Sequence, residues 1–117
     1  MGIYNYNISI TAESYKRGLI YGEIDNIDFV AMAGKESNIY GINCKDLRSG
    51  NGRVYKLCVY RDIVEQEEMP DRIIFKTCRH IYAEYDQEGW KVLNMKYYNR
   101  VKELIEYLDN RYSFKIV

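Results

Sequence analysis

The strongest candidate ligand site in this chain lies between Cys44 and Arg61, a segment that reads CKDLRSGNGRVYKLCVYR. Loop N–H groups and arginine side chains can hold a small anion, and arginine beside an aromatic ring suits base stacking or protein docking. The alternative is a hairpin loop with solvated cations, because glycine and asparagine are also what a turn needs. The candidate ligand- or partner-binding residues are Arg48, Arg53, Tyr55, Lys56 and Arg61.

The glycines of this segment do not match a nucleotide-binding motif. Neither G-x-x-x-x-G-K-[ST] nor G-x-G-x-x-G occurs, and the G-x-G of SGNGR precedes a predicted strand. A helix-terminus phosphate cradle would need a helix after the glycines. The anion hypothesis therefore depends on Arg48 and Arg53, and the interface hypothesis depends on Arg53 and Tyr55.

Catalytic and metal-binding residues are not predicted. The single histidine, His80, lies two residues after Cys78, so the two side chains share a face of a strand. No orienting group accompanies this pair, and the ordinary interpretation is packing within a sheet. Cys44 and Cys58 lack the short paired spacing of zinc ligands. We expect a non-enzymatic protein without a cofactor.

An acidic segment follows the basic one. The chain as a whole has 17 basic and 17 acidic residues, which excludes a strongly basic nucleic-acid protein and a generally acidic mimic of nucleic acid. Any electrostatic function must therefore be local, for example an acidic patch that contacts a basic groove of a partner. The alternative is that the two neighbouring segments screen each other. The acidic residues of the predicted patch are Glu65, Glu67, Glu68 and Asp71.

The compartment predicted is the cytoplasm of a bacterial host. The N-terminal stretch MGIYNYNISITAESYKRG lacks the features of a signal peptide, and no window approaches the roughly 20 apolar residues of a membrane span. Three widely spaced cysteines suit free thiols in a reducing environment. We therefore expect no membrane partner.

Alternating and helical periodicities predict the elements that position these residues. Asp25-Asn26 suits the tight turn of a hairpin, and stretches 11–18, 34–38, 45–52 and 65–71 read as connections. On the strand after the glycines, positions 53, 55, 57, 59 and 61 share one face. Strands are predicted at 3–10, 19–24, 27–33, 39–44 and 53–61, and residues 72–86 form one bent strand or two.

The C-terminal segment predicts an amphipathic helix with Asn94 as its cap. Its apolar positions recur at helical spacing: Tyr97, Tyr98, Val101, Leu104, Ile105, Leu108 and Tyr112. The predicted fold class is α+β, an antiparallel β-meander of about five to six strands with this helix packed on the sheet, in one domain over residues 1–117.

A series of short motifs resembles a family of small uncharacterised domains from phages and integrative elements of Firmicutes. The motifs are Tyr21-Gly22-x-Ile24, Phe29-x-Ala31, Tyr40-Gly41-Ile42, Gly52-Arg53-Val54-x-Lys56-Leu57 and Tyr85-Asp86-x-x-Gly89-Trp90. Tyr55 replaces the usual serine, and Gln87-Glu88 replaces a single arginine. The family has no established activity, so the resemblance implies a setting in a mobile genetic element.

Three functions fit this setting. The first is an inhibitor that binds a host defence protein, as an anti-CRISPR does, or that sequesters a nucleotide signal. The second is a nucleic-acid accessory protein that uses Arg53, Lys56, Arg61 and neighbouring tyrosines. The third is a homo-oligomeric module, such as a homodimer, that uses a tyrosine-rich sheet face or a free strand edge.

Overall fold

One antiparallel sheet and one helix make up the structure, a computed structural model that describes residues 5–14 and 16–113. The strands lie in the order of the chain, each paired with the next. Their bounds are β1 Ile8–Ser14, β2 Leu19–Ile24, β3 Ile27–Asn38, β4 Gly52–Met69, β5 Arg72–Asp86 and β6 Gly89–Leu93. The predicted α+β meander with a C-terminal helix is therefore confirmed.

The β2–β3 hairpin forms where the sequence predicts it. Asp25 and Asn26 have φ angles of 45° and 68°, the positive values that a primed two-residue turn requires. The second strand of the hairpin continues beyond its predicted end, and Asn38 still pairs with Gly52 of β4. The predicted loop at 34–38 is therefore wrong.

The first strand lies later in the chain than the alternating pattern predicts. Residues 1–4 lie outside the described residues, residues 5–7 are not in a strand, and β1 continues through the predicted turn to Ser14. A register shift between Ile10 and Ala12 breaks the alternation, so the sequence pattern ends before the pairing does.

The strand predicted at 39–44 is a turn instead, in which Ile39 and Tyr40 are exposed and Ile42 is buried. Only an isolated bridge joins Ile42 to Ser49 within this described segment, and the Ile42 N–H donates to the Val54 carbonyl at 2.7 Å. Ile42 and Leu47 are almost fully buried. The loop therefore closes one end of the core through these two side chains, which pack without strand pairing.

The C-terminal helix packs on one face of the sheet. The Asn94 side chain accepts from the Lys96 N–H at 3.0 Å and caps a short 3₁₀ turn, Met95–Tyr97, which confirms the predicted cap. Helix α1, Tyr98–Ser113, follows directly and contacts β3 and β4. Its buried residues are Val101, Leu104, Ile105 and Leu108, whereas the side chain of Tyr112 lies outside the described part. No helix in the described ranges has the length and apolar run that a membrane crossing requires.

Two strands extend far beyond the rest of the sheet. β4 and β5 pair continuously from Leu57↔Tyr85 to Met69↔Arg72, but β3 pairs with β4 only as far as Tyr60. β6 pairs with β5 only from Ala83 onward. Residues 61–69 and 72–82 therefore form a two-stranded arm, and the molecule measures 60 × 28 × 25 Å. The predicted acidic connection at 65–71 is mostly strand, with a turn only at Pro70 and Asp71.

A close backbone contact gives a test of this packing. Gly41 and Gly52 lie so near each other that a Cβ on Gly41 would overlap the Gly52 carbonyl. We expect Gly41→Ala to lower the free energy of unfolding by about 1–3 kcal/mol, because the buried turn must move. Urea unfolding measures this loss. Gly34→Ala is the matched control, since its nearest neighbour would lie at 3.6 Å. Equal midpoints for the two variants would contradict the packing.

Candidate functional site

A bulge in β4 changes which of its side chains share a face. Met32 pairs with Lys56 and Ala33 pairs with Val54, so Tyr55 is an extra residue between them. Val54 and Leu57 are consequently both buried under α1. We call this the helix face and the opposite one the open face. The prediction that positions 53, 55, 57, 59 and 61 share one face is therefore wrong.

The sequence-predicted binding residues do not form one group. Tyr55 and Lys56 line an open-face cavity of about 360 Å³. Arg61 follows buried Val59 by two residues and so lies on the helix face. Arg48 is exposed in the turn between β3 and β4, and the Arg53 Nη1 donates to the Lys35 carbonyl at 2.8 Å.

The cavity beside Tyr55 carries both signs of charge. Lys56 and Lys91 line it together with Asp86 and Glu88. The Lys91 ammonium lies 2.9 Å from the Asp86 carboxylate, and this contact lowers the pKa of Asp86. The two carboxylates cancel the attraction that an anion would need, so this cavity does not favour a phosphate or nucleotide.

Cys78 and His80 lie on the helix face of the arm, as their spacing predicts. The Cys78 thiol donates to the Glu65 carboxylate at 3.4 Å, and this hydrogen bond raises the thiol pKa. A thiol held in its protonated form is a poor nucleophile. Within the described ranges, no group of three or more histidine, cysteine or acidic side chains is placed to hold a metal ion.

Tyrosine and arginine side chains gather instead where the arm joins the body. The rings of Tyr82 and Tyr97 stack with centroids 4.2 Å apart and planes inclined by 22°. The Arg100 guanidinium lies 5.3 Å from the Tyr97 ring centroid and 5.5 Å from that of Tyr6. Tyr6, Tyr82, Tyr97, Arg100 and the exposed Arg61 form what we call the elbow cluster.

Three elements hold the elbow cluster in place. Tyr82 is the extra residue of a second bulge, because Ile81 pairs with Tyr60 while Ala83 pairs with Val59. The Asn94 N–H donates to the Tyr82 carbonyl at 2.8 Å, which ties the 3₁₀ turn to the arm. These contacts fix the rings before any partner arrives.

The N-terminal segment joins the cluster through the helix. The Glu103 carboxylate accepts from the N–H groups of Asn5 and Tyr6 at 3.0–3.3 Å. Because charge-assisted hydrogen bonds are stronger than neutral ones, this contact holds Tyr6 beside Arg100. Of the cluster, only Arg61 is among the binding residues predicted from the sequence, since the members lie far apart in the chain and share no motif.

The Tyr82 hydroxyl of the cluster stays protonated at neutral pH. Loss of hydration raises the pKa of Tyr82, and the adjacent Tyr97 hydroxyl raises it further, whereas Arg61 lowers it. A neutral hydroxyl can donate a hydrogen bond, and the positive charge of the cluster comes from its two arginines.

The arm presents two different faces. Register places charged side chains on its helix face, with Ile63, Ile74 and Cys78 between them. The open face has exposed apolar side chains among polar ones, and Val64, Ile73 and Phe75 are 64%, 54% and 68% exposed. The predicted acidic patch is split: Glu65 and Glu67 lie on the helix face, Glu68 on the open face and Asp71 in the turn.

The open face also contains one ordered ion pair near the base of the arm. Arg79 donates to both oxygens of Asp62, at 2.8 and 3.1 Å, and its guanidinium lies 3.9 Å from the centroid of the Tyr60 ring. This contact lowers the pKa of Asp62. The pair lies at the level where β3 ends.

Comparisons with protein-family models, curated protein sequences and solved structures found no match to this chain. The elbow cluster and the arm are therefore interpreted from their geometry.

The stacking in the elbow can be measured by a double-mutant cycle. We expect Tyr82→Ala and Tyr97→Ala to show an interaction free energy of about 0.5–1.5 kcal/mol in unfolding, because each loses the same ring contact. Tyr55→Ala with Tyr82→Ala is the control. Tyr55 lies on the open face, so the two effects should add within about 0.5 kcal/mol. Additivity in both pairs would contradict the stacked arrangement.

Proposed function

We propose that this chain is a non-enzymatic protein of a phage or mobile element that binds and inhibits a bacterial host defence protein in the host cytoplasm. The setting comes from the motif resemblance described above. The observation that carries protein binding is the elbow cluster, where fixed tyrosines and arginines border a protruding arm. Tyrosine and arginine are the residues most enriched at the energetic centres of protein interfaces.

The elbow and the helix face of the arm together define the chemistry of the partner. Arg61 and Arg100 give the elbow a positive charge, which favours an acidic segment of the partner. Glu65 and Glu67 lie farther along the same face and favour basic groups, although Lys76 is paired directly opposite Glu65. Ile63 and Ile74 provide apolar contact between the charged residues. A partner surface with this order of charges would be selected against unrelated ones.

A free nucleotide signal is a weaker candidate for the ligand. The Tyr82 and Tyr97 rings are stacked on each other, so each offers less free ring surface to a base. A neighbouring cavity of about 290 Å³ is lined by Glu103 and Glu106 with Lys102, which disfavours a phosphate. Nucleic acid is disfavoured in the same way by the carboxylates of β4 on the arm.

The proposal is tested by phage plating on hosts that carry defined defence systems. We expect expression of the wild-type chain to restore plaque formation on at least one defended strain. Arg61→Glu should reduce that restoration by at least about tenfold, since reversal of an interface charge costs roughly 1.4 kcal/mol or more of binding. Arg61 is exposed, so the variant should fold normally.

Arg53→Glu is the matched control. It reverses an arginine charge on the same strand outside the elbow cluster and leaves Arg61 unchanged. It should restore plaques as well as the wild type. Loss of restoration with Arg53→Glu but not with Arg61→Glu would place the binding surface elsewhere. Failure of the wild type on every defended strain would contradict the defence function. A rise in melting temperature with a cyclic nucleotide would favour the signal-binding alternative.

A further inference from the structure

The proposed function uses the elbow cluster and the helix face of the arm, and it leaves the open face of the sheet without a partner. Helix α1 covers the opposite face, and five of the nine large apolar side chains that are exposed among the described residues lie on the open one. They are Tyr21, Val64, Ile73, Phe75 and Ile81. The last four lie on the arm, where we call them the apolar strip, and exposed apolar side chains grouped in this way mark an interaction surface. We propose that the open face binds a second copy of this chain, in a twofold-symmetric dimer whose two arms point in the same direction.

The distribution of charge on the arm indicates which molecule binds the open face. Residues 61–69 of β4 contain Arg61 and four carboxylates, a net charge of −3. Residues 72–81 of β5 contain Arg72, Lys76 and Arg79, a net charge of +3 with His80 neutral. On the open face itself, β4 contributes the carboxylates of Asp62 and Glu68 and β5 contributes the Arg79 guanidinium, because the other charged side chains of the arm lie on the helix face. A surface of this kind is complementary to itself when the two strands exchange places.

Only one twofold-symmetric arrangement places β4 of each copy against β5 of the other. Edge-to-edge pairing about a twofold axis joins β4 to β4 or β5 to β5, which brings like charges together. Stacking the open faces with the arms opposed also places each strand over its own copy. Stacking them with the arms aligned places β4 over the partner's β5 and β5 over the partner's β4. The charge of the arm favours this last arrangement over the other two.

Register gives the contacts at each level of the stacked arms. Asp62 pairs with Arg79 across the arm, so in the dimer Asp62 lies over the partner's Arg79. The two intramolecular ion pairs then combine in a ring of four alternating charges. Val64 and Gln66 lie over the partner's Thr77 and the partner's Phe75, which covers the most exposed ring of the arm.

The buried area of this dimer approaches that of a stable interface only if the body of the sheet also takes part. One face of the arm, about nine residues long and two strands wide, offers roughly 300 Å². Six residues on each of four body strands add about 400 Å². A stable interface needs about 800 Å² per partner, so the two parts together approach that value. Val30 and Met32 of β3 supply apolar side chains on the body, whereas Tyr21 on β2 lies outside the four overlapping strands.

Sedimentation velocity of the wild-type chain over a range of concentrations is the first test. We expect a dimer at micromolar concentration, and Phe75→Asp should weaken association at least about 30-fold, because it places a charge in the apolar strip. Phe75 is 68% exposed, so the fold should persist. Ile74→Asp, on the other face of the same strand, should remain dimeric. A wild-type monomer at every concentration, or equal effects of the two substitutions, would overturn the proposal.

Reversing the charge of Asp62 or of Arg79 tests the same surface without changing an apolar residue. Asp62→Arg gives two cations at this level of the arm, and Arg79→Asp gives two carboxylates. Each variant alone should be monomeric, and an equimolar mixture should form a heterodimer. A mixture that stays monomeric would contradict the ring of charges.

Cross-linking tests the orientation of the arms. In a background with Cys44, Cys58 and Cys78 replaced by serine, a short bismaleimide should join Val64→Cys chains to Thr77→Cys chains. Glu68→Cys chains, with their cysteines near the tips of the arms, should also join to one another, because aligned arms bring the two tips together. A failure of Glu68→Cys chains to join would show opposed arms and overturn the aligned arrangement. The phage-plating result does not depend on this dimer, since the elbow cluster lies on the other face. A monomeric chain that restores plaques would remove the dimer alone.

Discussion

The pairing of β4 with β5 beyond the ends of their neighbours is the constraint on which the molecule depends. β3 leaves β4 at Tyr60 and β6 joins β5 only at Ala83, so beyond these residues neither strand pairs with a second strand of the described chain. A two-stranded ribbon without a packed face is marginal in water. The exposed apolar side chains of its open face and the charges of its helix face are therefore understandable as surfaces for binding rather than as part of a core.

Two bulges determine where the functional side chains point. Tyr55 is the extra residue of β4 and Tyr82 the extra residue of β5. Without the first bulge, Val54 would point away from Leu57 and the core under α1 would lose an apolar contact. Without the second bulge, the Tyr82 ring would not be placed to stack on the Tyr97 ring. The bulges thus separate the elbow cluster from the open face.

The sequence correctly predicted the elements of the fold that depend only on neighbouring residues. Asp25-Asn26 specifies a turn and Asn94 specifies a cap, and both are where the sequence places them. The strand at 72–86 is predicted and forms as the single strand β5, but the acidic strand of the arm was missed because EQEEM lacks the alternation and β-branched residues of a strand, and its pairing depends on β5. The elbow cluster was missed because only tertiary contacts bring Tyr6, Tyr82 and Tyr97 together. A one-residue bulge likewise leaves no clear mark in a single sequence.

The division of charge between the two strands of the arm also answers the hazard that free edges create. An exposed strand edge tends to pair with another copy and to propagate into aggregates. Symmetric edge pairing of β4 or of β5 would join like charges here, so electrostatic repulsion opposes it. The charges on the open face, Asp62 and Glu68 on β4 and Arg79 on β5, attract when each strand lies over the other strand of the second copy, a contact that closes after two copies. One distribution of charge can therefore oppose an open-ended assembly while it favours a finite one.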